Sequence, residues 1–438
     1  MLKWAFLRPN PLPDDPKKFI RPFFVELKIQ KKIEIYYFCR NVTRHHMIIS
    51  IRLKNFYSIR DEAVLDFTAD MSRGNKLNML EENLIDFDGD RFINIIGLFG
   101  SNAAGKSNII KALNFCRNLI LSSHMNNELT AFDYEPFKFD ADRLSEFHIN
   151  FVTHGIEYEY SFELCNNRVV SESLYYYPKK RRAKIFNREN THYYTHRKGT
   201  TERPTEVEAS TGAQTLFLSM ASAMNRQIAR TVYNFFAKEM VVGLDDTTMQ
   251  QISIEDFDKY KEVLLKALEV SDSDIVDIRL DETAPGNNRI VSYHKENPLI
   301  PFDFFREESD GTKRLMSLLL LFLRNAIHKV AIFIDEFDLK LHLRLAEFIL
   351  DVVRASHGGQ FVFTSHNPSL INKDLLRREQ VIFVNKHMDG NSEFVPLSDY
   401  EGLNNNTDIQ KAYLQGRFDA VPYVGDVYSI LDRLLNKQ

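Results

Sequence analysis

The hydrophobic period changes several times along the chain. Ile49, Ile51 and Leu53 alternate with Ser50, Arg52 and Lys54, which predicts a half-buried strand over 48–54. Strands are also expected over 63–68 and 92–99, the latter closing in the mostly apolar run Ile93–Phe99. From Asn108 to Leu119 apolar residues recur at helical spacing. Two-residue alternation returns within 130–178, in Phe147, Ile149 and Phe151 and again in Tyr158, Tyr160, Phe162 and Leu164. That pattern predicts antiparallel strands with one wet face. Residues 179–210 are charged and aromatic without an apolar period and read as a hairpin tip or loop. Residues 213–270 have helical spacing, and strands 275–280 and 289–294 flank the turn Pro285-Gly286-Asn287-Asn288. Helices and strands alternate over 311–384, and 396–438 reads as short helices. Heptad spacing is not sustained anywhere between the first of these helices and residue 309, so the intervening chain is expected to form a compact lobe, not a long coiled-coil arm.

Composition narrows the class. Hydrophobic residues make up 44% and charged residues 26% of 438, as in a soluble globular protein. A net charge of −4 supplies no global basic field, so any nucleic-acid contact must be a local patch. Cys39, Cys116 and Cys165 share no metal-ligand spacing, which suits a reducing cytosol. No apolar run approaches the ~20 residues of a membrane span; the longest, Leu315–Leu323, reads as a buried helix. Residues 1–46 carry Pro9, Pro11, Pro13, Pro16, Pro22 and the sole Trp, Trp4, and lack a signal-peptide core. The folded domain is expected to begin at Met47, with 1–46 an appendage; a functional arm is the alternative.

The chemistry is most legible at Gly100-Ser101-Asn102-Ala103-Ala104-Gly105-Lys106-Ser107, a complete G-x-x-x-x-G-K-[ST] loop between a buried strand and a helix. Its glycines let backbone N–H groups turn toward phosphates, and the helix N-terminus favours the anion. Lys106 is expected on the β- and γ-phosphates of a nucleoside triphosphate and Ser107 on Mg²⁺. Downstream, Val330–Ile334 is an apolar strand ending in Asp335-Glu336, placed to hold Mg²⁺ through a water and to orient the attacking water, respectively. A second strand, Gln360–Thr364, ends in Ser365-His366, from which His366 can reach the γ-phosphate. Ser309, Asp310 and Gly311 cap the apolar helix 312–327 and turn its N-terminus toward an anion.

These segments in this order resemble ATP-binding-cassette (ABC-type) ATPases, and more closely the RecF and OLD (overcoming lysogenization defect) branch. Met47–Arg60 resembles that branch's opening strand, and Gly100–Asn108 its phosphate loop, including Asn108. Ser309–Thr312 is similar to its shortened signature, Asp335–Asp338 to its acidic strand and D-loop, and Ser365–His366 to its switch histidine. The chain departs from the pattern at Asp310, where transporters carry Gly; at His342, which lacks a following Pro; and at Pro136–Asp140, which stands where a glutamine loop belongs. No aromatic can be assigned to the adenine.

The resemblance implies an α/β fold: an ABC-type P-loop ATPase head with a mixed sheet, an antiparallel β lobe and a compact helical insertion. The head would be divided between 47–212 and 301–438, with the insertion at 213–300. The resemblance also implies ATP and Mg²⁺ as cofactors and a homodimer whose Ser309 and Gly311 cap ATP bound at the partner's phosphate loop. Catalysis falls to Glu336, His366 and Lys106. Gly100 to Asn108, Ser309 and Gly311 bind the nucleotide, and Ser107 and Asp335 hold the metal.

The tail Ala412–Pro422 is similar to ATPase subunits of bacterial phage-defence operons of the RloA, AbiL and AriA kinds. This implies a cytoplasmic subunit that senses a phage component and controls a separate effector, such as a nuclease. The competing expectation is a RecF- or SMC-like DNA repair or recombination ATPase, and a third is a nucleotide-binding scaffold with negligible turnover. The basic run Lys179, Lys180, Arg181, Arg182 and Lys184, preceded by Tyr175-Tyr176-Tyr177, offers a DNA contact. The plainer expectation for that run is a solvated hairpin tip, and a docking site for an acidic protein partner is a third.

Overall fold

In the computed structural model the described residues are 46–71, 80–189, 193–196, 204–244, 254–271, 273–284, 287–355, 359–404 and 407–421. They belong to the second of two units into which the chain divides, His45–Gln438. The expectations placed on Trp4 and residues 1–45, on Pro285-Gly286 and on the tail beyond residue 421 lie outside the described residues.

Strand period sorts the strands into two large sheets. The alternating segments form β1 (Met47–Lys54), β2 (Ala63–Asp66), β6 (Ser145–Thr153), β7 (Ile156–Cys165) and β8 (Arg168–Tyr176). With β9 (Ala183–Glu189) and β10 (Tyr193–His196) they build a seven-stranded antiparallel sheet in the order β10-β9-β8-β7-β6-β1-β2. The continuous apolar runs form β5 (Ile95–Phe99), β15 (Ala331–Ile334), β16 (Gln360–Ser365) and β17 (Val381–Lys386). Joined by β11 (Met240–Val242) and β18 (Ser392–Pro396), they make a sheet ordered β11-β15-β16-β5-β17-β18, parallel except at β18. Every residue of β5, β15 and β16 is buried, as a parallel sheet covered on both faces requires. Smaller sheets pair β3 (Leu84–Phe87) with β4 (Asp90–Ile93), and β12 (Ile275–Ala284) with β13 (Asn287–His294) and β14 (Pro301–Asp303).

Helix α1 (Lys106–Ser122) follows β5 and buries Ile109, Leu113, Cys116 and Ile120 in the core between the two large sheets. The same core holds Phe151 of β6 stacked on Phe235 at 4.2 Å. The Gln360 side chain ties the sheets together, accepting from the Ile48 N–H at 2.6 Å and donating to its carbonyl at 2.8 Å. The remaining longer helices are α2 (Ile254–Val270), α3 (Asp310–His328) and α4 (Leu343–Ala355).

Three expectations are corrected. Residues 179–210 are not a bare loop: they contain β9, β10 and a short helix, Thr205–Ser210. Arg188 occupies an inward position of β9 and is fully buried, so a charge stands where the apolar phase would have shown. The expected strand 92–99 is two strands that part at Asn94, whose N–H donates to the Asn83 carbonyl beside β3 at 3.0 Å, whose carbonyl accepts from the Phe361 N–H of β16 at 2.7 Å, and whose side chain donates to the Glu82 carbonyl at 3.0 Å. Within the helical stretch 213–270, Met240–Val242 is a strand beside β15. The tail motif has a packing role: Tyr413 and Phe418 stack on Phe383 of β17 at 5.3 and 4.6 Å.

Candidate functional site

The sheet order sets β15, β16 and β5 side by side, so the loops leaving their carboxyl ends meet. β5 delivers the phosphate loop, β15 delivers Asp335-Glu336, and β16 delivers Ser365-His366 between them. Together they surround a cavity of about 800 Å³ lined by Lys106, Ser107, Glu336, Asp338, Lys340 and His366 among others.

The loop is held from behind. Gly105 has φ +105°, and a Cβ there would run into the Ser58 and Ser392 hydroxyls. Ser392 donates to the Ala104 carbonyl at 2.6 Å and lies 2.7 Å from Ser58 Oγ. Asn108 Nδ2 donates to Ser58 Oγ at 2.6 Å, so its amide braces the loop even though the residue lines the cavity. The β1–β2 turn and β18 thus fix a loop whose Asn102, Ala103 and Gly105 line the cavity.

Lys106 is only 4% exposed. Its ammonium donates to the Gly100 and Ser101 carbonyls, both at 2.9 Å, and lies 3.3 Å from His366 Nδ1. Burial lowers its pKa to about 8, against the opposing pull of Asp335 and Glu336. An ammonium has only donors, so His366 Nδ1 accepts from it and the imidazole hydrogen sits on Nε2, 3.6 Å from Glu336 Oε1.

Asp335 Oδ1 accepts from Ser107 Oγ at 3.0 Å and from Thr364 Oγ1 at 2.6 Å. Thr364 Oγ1 in turn accepts from the Glu336 N–H at 2.7 Å. Glu336 holds the left-handed backbone at φ 46°, a cost that functional sites commonly carry. Arg314 Nη2 donates to its carbonyl at 2.9 Å. Burial lowers the Arg314 pKa while Asp338, Glu336 and Asp335 oppose it; burial likewise raises that of Asp338, which accepts from Ser365 Oγ at 2.8 Å.

Ser107 Oγ and Asp335 Oδ1 present two hard oxygens 3.0 Å apart beside a cavity sized for phosphates. That donor set fits Mg²⁺, which keeps most of its shell for water and phosphate and takes few protein ligands. No cluster of three or more His, Cys, Asp or Glu that could hold a metal by itself occurs among the described residues.

Ser309 and Gly311 do not line this cavity. Ser309 Oγ accepts from the Thr312 N–H at 3.1 Å and caps α3. Asp310 is paired at 2.7 Å with Lys340, which does line the cavity. Pro136–Asp140 supplies Phe137, whose N–H donates to Asn55 Oδ1 at 3.0 Å. Sequence reasoning missed Thr364, Arg314, Lys340, Ser58 and Ser392. Thr364 had a signal in its place before Ser365-His366; Ser392 lies 285 residues past Ser107 and had none.

The basic run is partly neutralised. Arg182 bonds both oxygens of Glu159, at 2.9 and 2.7 Å, and lies over Tyr175 at 3.5 Å; Lys180 pairs with Asp88 at 3.0 Å. Lys179 and Arg181 are exposed.

Comparison with known proteins matches this site to a family. Comparison with curated proteins gives no match. Among solved structures, an SmcHead bound to the C-winged helix domain of ScpA aligns at TM-score 0.43 and 16% identity, over 80% of this chain and 96% of that one. The SMC head domain from Thermotoga maritima aligns at 0.39 and 15%, over 80% and 98%. An Smc head domain with an extended coiled coil, bound to the C-terminal domain of ScpA derived from Pyrococcus furiosus, aligns at 0.43 and 14%, over 85% and 100%. The family profile described as "AAA domain, putative AbiEii toxin, Type IV TA system" matches residues 95–372, from the first residue of β5 past His366. The chain belongs to that family of P-loop ATPases.

Proposed function

We propose that this chain is a cytoplasmic ATP-hydrolysing subunit of a bacterial anti-phage defence complex, in which nucleotide state controls a separate effector. One observation carries the ATPase part: Lys106, Ser107, Glu336 and His366 line one cavity reached from three adjacent strand ends, with Asp335 behind it bonded to Ser107. ATP is the substrate. Lys106 and the loop N–H groups hold its β- and γ-phosphates, and Ser107 and Asp335 hold the Mg²⁺, which supplies charge neutralisation when bound. Glu336 takes a proton from a water as that oxygen attacks the γ-phosphorus and the bond to the ADP oxygen breaks. His366, whose Nε2 lies 3.6 Å from Glu336 Oε1, is a donor available to the γ-phosphate.

Ser309 and Gly311 lie away from their own cavity, which fits a homodimer in which each chain caps its partner's nucleotide. The defence role is supported by the family's description, with its putative AbiEii toxin, and by the tail motif. The DNA-repair reading comes from the RecF- or SMC-like resemblance and would use Lys179–Lys184 as its DNA contact, where Arg182 and Lys180 already have carboxylate partners.

The test is Glu336→Gln with MgATP, followed by size-exclusion chromatography with light scattering. The expected result is a dimer that persists with ATP bound while phosphate release slows by on the order of a hundredfold or more. A variant that stays monomeric and hydrolyses at the parent rate would overturn the assignment.

A further inference from the structure

The end of α3 that resembles the signature is acidic. Glu307, Glu308 and Asp310 fall within four residues around Ser309. A carboxylate in the first turn suits the helix's own dipole. It also occupies the positive helix end that an incoming triphosphate would use, and like charges repel there. Asp310 stands between Ser309 and Gly311, so its charge, left alone, opposes any cap these two residues place on ATP.

Each of the three carboxylates has a partner. Glu308 Oε1 accepts from Ser292 Oγ at 2.5 Å and lies 2.9 Å from His294 Nε2, and Glu307 Oε2 accepts from the Asp303 N–H at 2.5 Å. Those partners all precede the helix. Asp310 is held from the other side: Lys340 Nζ lies 2.7 Å from Oδ2, and Lys313 Nζ, one turn along α3, lies 3.7 Å from Oδ1. Lys340 first and Lys313 second keep the Asp310 carboxyl below its usual range, so it carries a full negative charge.

The fold fixes Lys340 against the signature. Four residues after Glu336, it holds a left-handed backbone at φ 63°. The surrounding turn is closed by the Leu339 N–H on the Glu336 carbonyl and the Leu341 N–H on the Asp338 carbonyl, both at 3.0 Å. A Cβ on Gly311 would sit 2.9 Å from the Lys340 carbonyl oxygen, so a glycine there lets the turn lie directly on the start of α3. The Lys340 side chain is half-exposed and also lines the phosphate-loop cavity of its own chain.

We propose that Lys340 is a positioning residue for the partner's nucleotide: it neutralises Asp310, so that Ser309 and Gly311 can close on the triphosphate held by a second copy of the chain. The inference rests on the homodimer reading, and it accounts for an acidic residue where transporters carry Gly.

The test uses the full chain carrying Glu336→Gln, followed by light scattering across a MgATP titration. Adding Lys340→Met is expected to raise the MgATP concentration for half-maximal dimer about tenfold, as one like-charge contact enters the interface. Lys340→Arg keeps the charge and the midpoint of the Glu336→Gln chain. Asp310→Asn added to Lys340→Met returns the midpoint to within about twofold of that value, because the two residues act as a pair. The proposal is overturned if Lys340→Met leaves the midpoint where it was. It is also overturned if Asp310→Asn fails to repair the loss, since Lys340 then acts on the phosphate of its own chain. A Glu336→Gln chain that stays monomeric at saturating MgATP removes the homodimer reading itself, a different outcome from a dimer indifferent to Lys340.

Discussion

Glu172 and Arg188 in the antiparallel lobe, and Lys106, Asp335 and Glu336 at the parallel sheet's edge, are the same kinds of charge put to different ends. Glu172 and Arg188 are fully buried. Glu172 accepts from the Phe217 and Leu218 N–H groups at 2.6 and 2.9 Å and from Tyr160 at 2.9 Å, with Arg188 3.7 Å away. Arg188 donates to the Thr215 and Gly212 carbonyls at 2.6 and 2.9 Å. These groups face protein on every side, and burial raises the Glu172 pKa despite its donors. Lys106 and Glu336, by contrast, line a cavity of about 800 Å³. A functional charge is marked here by open volume in front of it, and burial or pairing alone does not distinguish it from a structural one.

That contrast can be broken by mutation. Glu336→Gln should slow phosphate release by on the order of 10²–10⁴, the range for a lost general base, with the urea midpoint close to the parent's. Arg188→Leu should do the reverse, lowering stability by about 3–5 kcal/mol because it strands Glu172 without its cation. The double replacement Glu172→Met with Arg188→Leu should recover most of that loss in the same urea titration. An Arg188→Leu protein of parental stability would mean the buried pair is not structural.

A smaller effect belongs to the joint between the β12–β14 sheet and α3. His294 bonds Asp274 and Glu308, both at 2.9 Å, next to the Ser309 cap. Burial alone would lower its pKa, and the two carboxylates overcome that and raise it above 6.5. A raised histidine contributes stability that is complete below its unfolded pKa and is lost as pH rises through the folded one. Thermal midpoints of the parent should therefore fall across the window above pH 6.5 relative to those of His294→Gln, and an identical pH profile in the two proteins would contradict the pairing. Smallest is Arg182→Ala, expected to cost about 1 kcal/mol or less, since its Glu159 pair and Tyr175 contact are solvent-exposed.

Much of the site was legible because its chemistry is local. Gly100–Ser107 needs a fixed spacing, and Asp335-Glu336 and Ser365-His366 each follow an apolar strand directly. What stayed hidden depends on strand order. Nothing in the spacing places β16 between β5 and β15, so Thr364 could not be seen bridging Asp335 and Glu336. Ser392 reaches the phosphate loop only because β18 closes the sheet beside β17. In the antiparallel lobe, β9 was missed for a different reason: inward Arg188 reads as a surface charge until Glu172 is known to face it.

The central claim is that the three strand ends form a nucleotide site with Lys106 as its phosphate cation. Calorimetric titration of MgATP into the parent and Lys106→Met tests it most directly. The expected result is saturable binding to the parent, weakened on the order of a hundredfold in Lys106→Met as charge-assisted bonds to phosphate are lost, in a protein that unfolds near the parental midpoint. Equal affinity in the two proteins would contradict it.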